Sequence, residues 1–222
     1  MQYQNIIKQL KSKANPANAA GMARFGINPK NTLGISIPEL RKMAKKIGKN
    51  HSLALELWDS GIHEARLLAG FIDDKSMITE KQMESWVKDF DSWDICDQVC
   101  SNLFDKTPYA YKNALKWSKD KREFVKRAGY VLMACLAVHD KKAEDKQMIK
   151  FFPAIIKGST DERNFVKKAV NWALRQIGKR NSRLNKEALI VSKKILSIPS
   201  KSAAWIATDA IRELQIKAKR YK

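Results

Sequence analysis

The segment Phe124-Val125-Lys126-Arg127-Ala128 returns 41 residues later as Phe165-Val166-Lys167-Lys168-Ala169. Self-similarity at such a period marks stacked supersecondary units: two or three helices cannot bury their apolar face alone, so each unit buries it against its neighbours. The duplication predicts a helical repeat stack, with an irregular helical bundle as the alternative.

The rest of the chain agrees with helices. Apolar residues recur at helical spacing almost throughout, and sustained β-branched alternation is missing. The expected fold class is all-α, a curved solenoid of HEAT-like antiparallel helix pairs, because a period near 40 residues is that of HEAT and armadillo arrays. Pro16, Pro29, Pro38, Pro108, Pro153 and Pro199 sit beside polar residues or changes of periodicity, where proline opens helices or occupies turns. Ser36 to Glu39 and Asp105 to Pro108 read as helix starts. Neither Gly nor Pro accumulates into a linker, so residues 1–222 read as one HEAT-like repeat domain.

Charge narrows the partner. Residues 1–50 carry ten Lys and Arg against one acid, residues 51–110 five against twelve, and residues 111–222 twenty-eight against ten. Two basic arms thus flank an acidic middle, for a net charge of +20. Such an excess attracts a polyanion, since neutralising phosphates releases condensed counterions. Nucleic acid is one reading; a solvated basic surface and anionic lipid are the others. Lipid binding calls for a strongly amphipathic lipid-seeking helix, which is not evident. No apolar run approaches the length that crosses a bilayer, and the N-terminus lacks a signal-peptide pattern. Together with three cysteines, an odd number, this places the expected protein in the cytoplasm without a disulfide framework. A monomer is expected.

Several chemistries lack their motifs. There is no Gly-rich phosphate loop of the Walker or dinucleotide type. His63-Glu64 begins like a zinc-protease helix, but Leu67 occupies the place of the second histidine. Cys96, Cys100, Cys135 and His139 read as structural, and no metal is expected.

Two segments stand out. In Asp91 to Cys100, Asp91 or Ser92 caps a helix whose buried face is Cys96, Val99, Cys100 and Leu103, while Trp93 and Asp97 share a neighbouring face four residues apart. The ordinary alternative is a half-buried indole beside a solvated carboxylate. In the second segment, Val166, Ala169, Val170, Ala173, Leu174 and Ile177 form the core stripe, and Lys168, Trp172, Arg175 and Lys179 line another face. Trp172 either packs on a sugar or base among phosphate-gripping cations, or wedges between repeats. Its counterpart 41 residues earlier is Val131, so the repeat itself does not require an indole there. Arg127 is the counterpart of Lys168. Trp58, Trp86, Trp117 and Trp205 read as packing residues.

Met22-Ala23-Arg24 ahead of Leu33-Gly34-Ile35, Glu56-Leu57-Trp58-Asp59, Ser92-Trp93-Asp94, Arg127-Ala128 and Phe165 to Arg175 with Trp172-Ala173-Leu174-Arg175, in that order, resemble the AlkD-type DNA alkylation repair glycosylases from about residue 16 to 215. The resemblance implies HEAT-like repeats that hold duplex DNA in a basic concave groove and hydrolyse the N-glycosidic bond of cationic alkylpurines such as N3-methyladenine and N7-methylguanine. It implies contact with the lesion nucleotide through deoxyribose and phosphates, without a base pocket and without a cofactor. Carried over residue by residue, the catalytic set is Trp93, Asp97, Arg127 and Trp172.

A cationic purine leaves without a general acid, so the difficulty is positive charge on the sugar. The expectation is that Asp97 stabilises that charge and orients water, that Trp93 and Trp172 flank the sugar, and that Arg127, Lys168, Arg175 and Lys179 hold phosphates. The alternatives are a non-catalytic repeat protein that binds branched or distorted DNA, from which the presence of Asp97 argues away, and a protein-interaction solenoid.

Overall fold

The computed structural model describes residues 2–221, and among these every regular element is helical. They form two compact units, Met1–Thr107 and Pro108–Lys222. None of the described helices is long and apolar enough to cross a membrane.

The first unit comprises α1 (Gln2–Ser12), α2 (Pro16–Ala23), α3 (Ile37–Ile47), α4 (His51–Asp59), α5 (His63–Ile72), α6 (Glu80–Trp86) and α7 (Trp93–Asn102), with short 3-10 turns at Val87–Asp89 and Phe104–Lys106. Starts are set by caps: Asn15, Asn50 and Thr79 each accept a bond from the backbone N–H three residues on. Pro16 and Pro38 lie in first turns, where a missing N–H costs nothing. α5 packs against α3, α4 and α7, burying Leu67, Leu68, Ala69 and Ile72 completely. Trp58 stacks on Trp86 with ring centroids 3.9 Å apart, and both are core residues as expected. The chain from Arg24 to Ser36 is irregular. It turns at Gly34, whose φ is +81°; a Cβ there would run into the Asn15 carbonyl.

The second unit comprises α8 (Ala110–Trp117), α9 (Glu123–His139), α10 (Asp145–Ile149), α11 (Phe152–Gly158), α12 (Asn164–Gly178), α13 (Ser182–Leu196) and α14 (Lys201–Ala218), ending in a 3-10 turn at Lys219–Tyr221. The duplicated segments open α9 and α12, which lie against each other, with the Phe124 and Phe165 rings 5.5 Å apart. The repeat reaches further upstream than its apolar residues reveal. Asp120 and Asp161 each accept the backbone N–H of the arginine two residues on, at 2.8 and 3.1 Å, and each pairs with that arginine's guanidinium. Lys126 then crosses from α9 to Asp161 at 2.8 Å. Burial works against this carboxylate, yet Arg163 and Lys126 hold it well below the usual range. Gly129 lets α9 lie on α8, since a Cβ there would meet the Ser118 backbone nitrogen.

Two expectations need correction. The turn at 105–108 precedes a helix without capping it: Thr107 turns inward, its hydroxyl donating to the Phe104 carbonyl at 2.8 Å, and α8 begins at Ala110. Trp205 is not a packing residue. It is 42% exposed on α14, with the Lys167 ammonium 5.2 Å from its ring centroid.

Candidate nucleic-acid interface

α7 begins where the sequence predicts and buries Ile95, Cys96, Val99 and Cys100. Ser92 occupies the N-cap position without capping. Its hydroxyl instead accepts the Asn28 backbone N–H at 2.9 Å, and the Asn28 amide donates to Asp91 at 2.7 Å. The half-buried Trp93 donates its indole N–H to the Phe25 carbonyl at 2.9 Å. Three bonds thus pin the irregular strap after α2 to the start of α7. Asp97 follows one turn later, half-buried and outside the core stripe.

The two other acids here have different fates. Asp94 is buried and pairs with the His63 Nε2 at 2.9 Å. Burial pulls the imidazole pKa down, but the bond and charge of Asp94, with Glu64 and Asp91, outweigh it and hold it above its usual value. Glu64 is fully buried and accepts the backbone N–H groups of Leu33, Gly34 and Ile35 at 2.8, 2.6 and 3.2 Å. The His63-Glu64 pair that looks like half a zinc motif is therefore an anchor for α7 and the strap. Among the described residues no His, Cys, Asp and Glu cluster could hold a metal ion.

In the second unit, α12 brings Trp172, Arg175 and Lys179 onto one face, with Lys168 exposed a turn earlier. Trp172 is half-buried, and its indole N–H reaches the Gln176 side-chain oxygen at 3.0 Å once that amide is turned to face its donors. Arg175 and Lys179 are tied to α14. Arg175 pairs with Glu213 and lies 3.5 Å from Asp209, while Lys179 lies 2.7 Å from Glu213. Burial would raise the Glu213 pKa, but these two cations bring it down. Arg127, only 6% exposed, donates to the Phe165 carbonyl at 2.5 Å. Equivalent positions in the repeat therefore do different work: Lys168 stands in solvent, and Arg127 braces the first turn of α12.

Sequence reasoning missed another cationic group. Arg41 lies over the Phe71 ring and bonds to Gln98 and Asn102 on α7. Beside it Lys45, Lys49 and Lys106 line one cavity of about 300 Å³. The basic first arm was a signal for it, but only the fold gathers residues 41 to 106.

Among solved structures, the chain is similar to a protein described as one of a new family related to the HEAT-like repeat DNA glycosylases with affinity for branched DNA structures. The identity is 19%, the likeness covers 96% of this chain and 95% of that one, and the TM-score is 0.79. At that identity the likeness establishes a HEAT-like helical fold. A designed armadillo repeat protein in complex with a (KR)4 peptide is 17% identical over 82% of this chain and 79% of that one, but its TM-score of 0.42 bears no argument. No curated protein matches. The family model of DNA alkylation repair enzymes matches residues 6–214, nearly the whole of both units, and the chain belongs to that family.

Proposed function

We propose that the protein is a DNA glycosylase that hydrolyses the N-glycosidic bond of cationic alkylpurines in duplex DNA. The observation that carries this reading is the sorting of acids on α7. Asp94 pairs with His63 inside the core, and Asp97 lies outside the core stripe, one turn from a half-buried indole.

Alkylation at N3 or N7 already makes the base a good leaving group. What remains costly is the positive charge that grows on the deoxyribose as the bond breaks. The Asp97 carboxylate stabilises that charge and orients water toward the anomeric carbon. The π face of Trp93 adds about 0.5–2 kcal/mol, and in the second unit Trp172 offers an indole beside its own row of cations. Lys168, Arg175 and Lys179 engage phosphates of the same duplex, the last two by exchanging Glu213 for a phosphate oxygen. We assign Arg127 the bracing of α12.

The test is incubation with methylated duplex DNA and analysis of the released bases. N3-methyladenine and N7-methylguanine are expected. Tight binding of branched DNA with no base released would replace this reading with the non-catalytic one.

A further inference from the structure

We infer that the polar cavity at the carboxyl ends of α9 and α12, where α13 begins, is a phosphate-binding site built by Lys141, Lys179, Arg180 and Gln176. It encloses about 440 Å³, many times the ~30 Å³ share of a water molecule. That leaves room for a phosphate group with part of its hydration.

The charge arrangement calls for an anion. Arg180 is half-buried, and its two terminal nitrogens donate to the Ala137 and Ala143 carbonyls at 2.9 and 2.8 Å. These acceptors, one of them in the last turn of α9, offset the guanidinium only by partial charge, and Arg180 makes no ion pair among the described residues. Lys141, on the exposed turn after α9, makes none either. A cation partly withdrawn from water and left without a full counter-charge forfeits solvation without recovering Coulomb energy, so an entering anion is favoured. Asp145 is the one carboxylate in the lining. It already accepts the Asn181 amide at 2.8 Å and lies 4.0 Å from the Arg183 guanidinium.

The donors suit phosphate. An ammonium on a mobile stem and a fixed planar guanidinium approach from different directions, which matches the several oxygens of a tetrahedral anion. Gln176 joins the cavity to the interface described above, because its side-chain oxygen accepts both the Trp172 indole N–H at 3.0 Å and the Lys179 ammonium at 3.2 Å. Trp172 and Gln176 are four residues apart, about 6 Å along α12. That spacing favours a DNA phosphodiester over a free phosphate as the source, and only this choice of source rests on the proposed function.

The test uses Lys141→Ala in the full chain, whose exposed turn tolerates the change. Duplex affinity is measured across salt concentrations, and inorganic phosphate is titrated while the amide resonances of residues 141 and 176–181 are followed. If the source is DNA, the variant binds duplex about fivefold more weakly at low salt, and the slope of log affinity against log salt becomes shallower by about one. An unchanged slope, with inorganic phosphate shifting those amides in the parent but not in the variant, assigns the cavity to free phosphate. An unchanged slope with no phosphate-induced shifts overturns the proposal. Base release by the parent, assayed in parallel, keeps the two claims separate: an intact glycosylase with neither effect sinks the cavity alone, and a shallower slope without base release sinks the glycosylase alone.

Discussion

Both units pack helices on one another, but the first adds side chains that reach across an irregular strap, whereas the second adds glycines that let its helices close up. In the first, Glu64, Ser92, Asn28 and Lys49 all reach across irregular chain to backbone or side-chain partners. In the second, Gly129, Gly158 and Gly178 remove side chains where helices touch, and the Asp120 and Asp161 turns repeat the same geometry. The two indoles singled out by the sequence are thus positioned by different physics. Trp93 depends on polar bonds to the strap, and Trp172 on the apolar packing of the helix that carries it. Polar networks fail abruptly when one member is lost, because the partners stay buried and unsatisfied.

The sharpest way to break this contrast is Glu64→Ala. Three backbone N–H groups lose their acceptor, and about 4 kcal/mol of stability should go with it. Hydrogen exchange at amides 33–35 reads the loss, and full retention of their protection would refute the network. Next is Gly129→Ala. A Cβ cannot fit against the Ser118 backbone, so overpacking should cost about 3 kcal/mol in a denaturant titration. A neutral result would mean that α8 and α9 part easily. The smallest effect concerns pH. His63 is held above its ordinary 6.5 in the fold, so the stability from pairing with Asp94 is complete below about pH 6.5 and fades as pH rises through the folded value. In Asp94→Asn this contribution should vanish. The gap between variant and parent should therefore be widest at low pH, and a gap independent of pH would contradict the assignment.

Much of this was legible in residue order. The 41-residue period located α9 and α12, and every residue that the apolar spacing assigned to the core of α7 and α12 is buried, although Asp94, Ile95, Asn171 and Gly178 are buried there too. What escaped was long-range and polar. Nothing local announces that Glu64 caps a strap thirty residues away, or that Glu213 on α14 meets Arg175 and Lys179. The same gap explains Arg127: the pattern placed a cation correctly, but only the packing of α9 on α12 decides that it braces a carbonyl. Trp205 erred in the opposite direction, since an indole reads as core by default and its exposure depends on which face of α14 lacks a neighbour.

The central claim is that of the two acids on α7, Asp97 works and Asp94 only supports. Single-turnover release of N7-methylguanine by Asp97→Asn and Asp94→Asn, each at saturating protein and with duplex affinity measured alongside, decides it. The account predicts a drop of about 100-fold for Asp97→Asn with binding retained, and a rate within about tenfold of the parent for Asp94→Asn. Parental release by Asp97→Asn, or a greater loss from Asp94→Asn in folded protein, would contradict it.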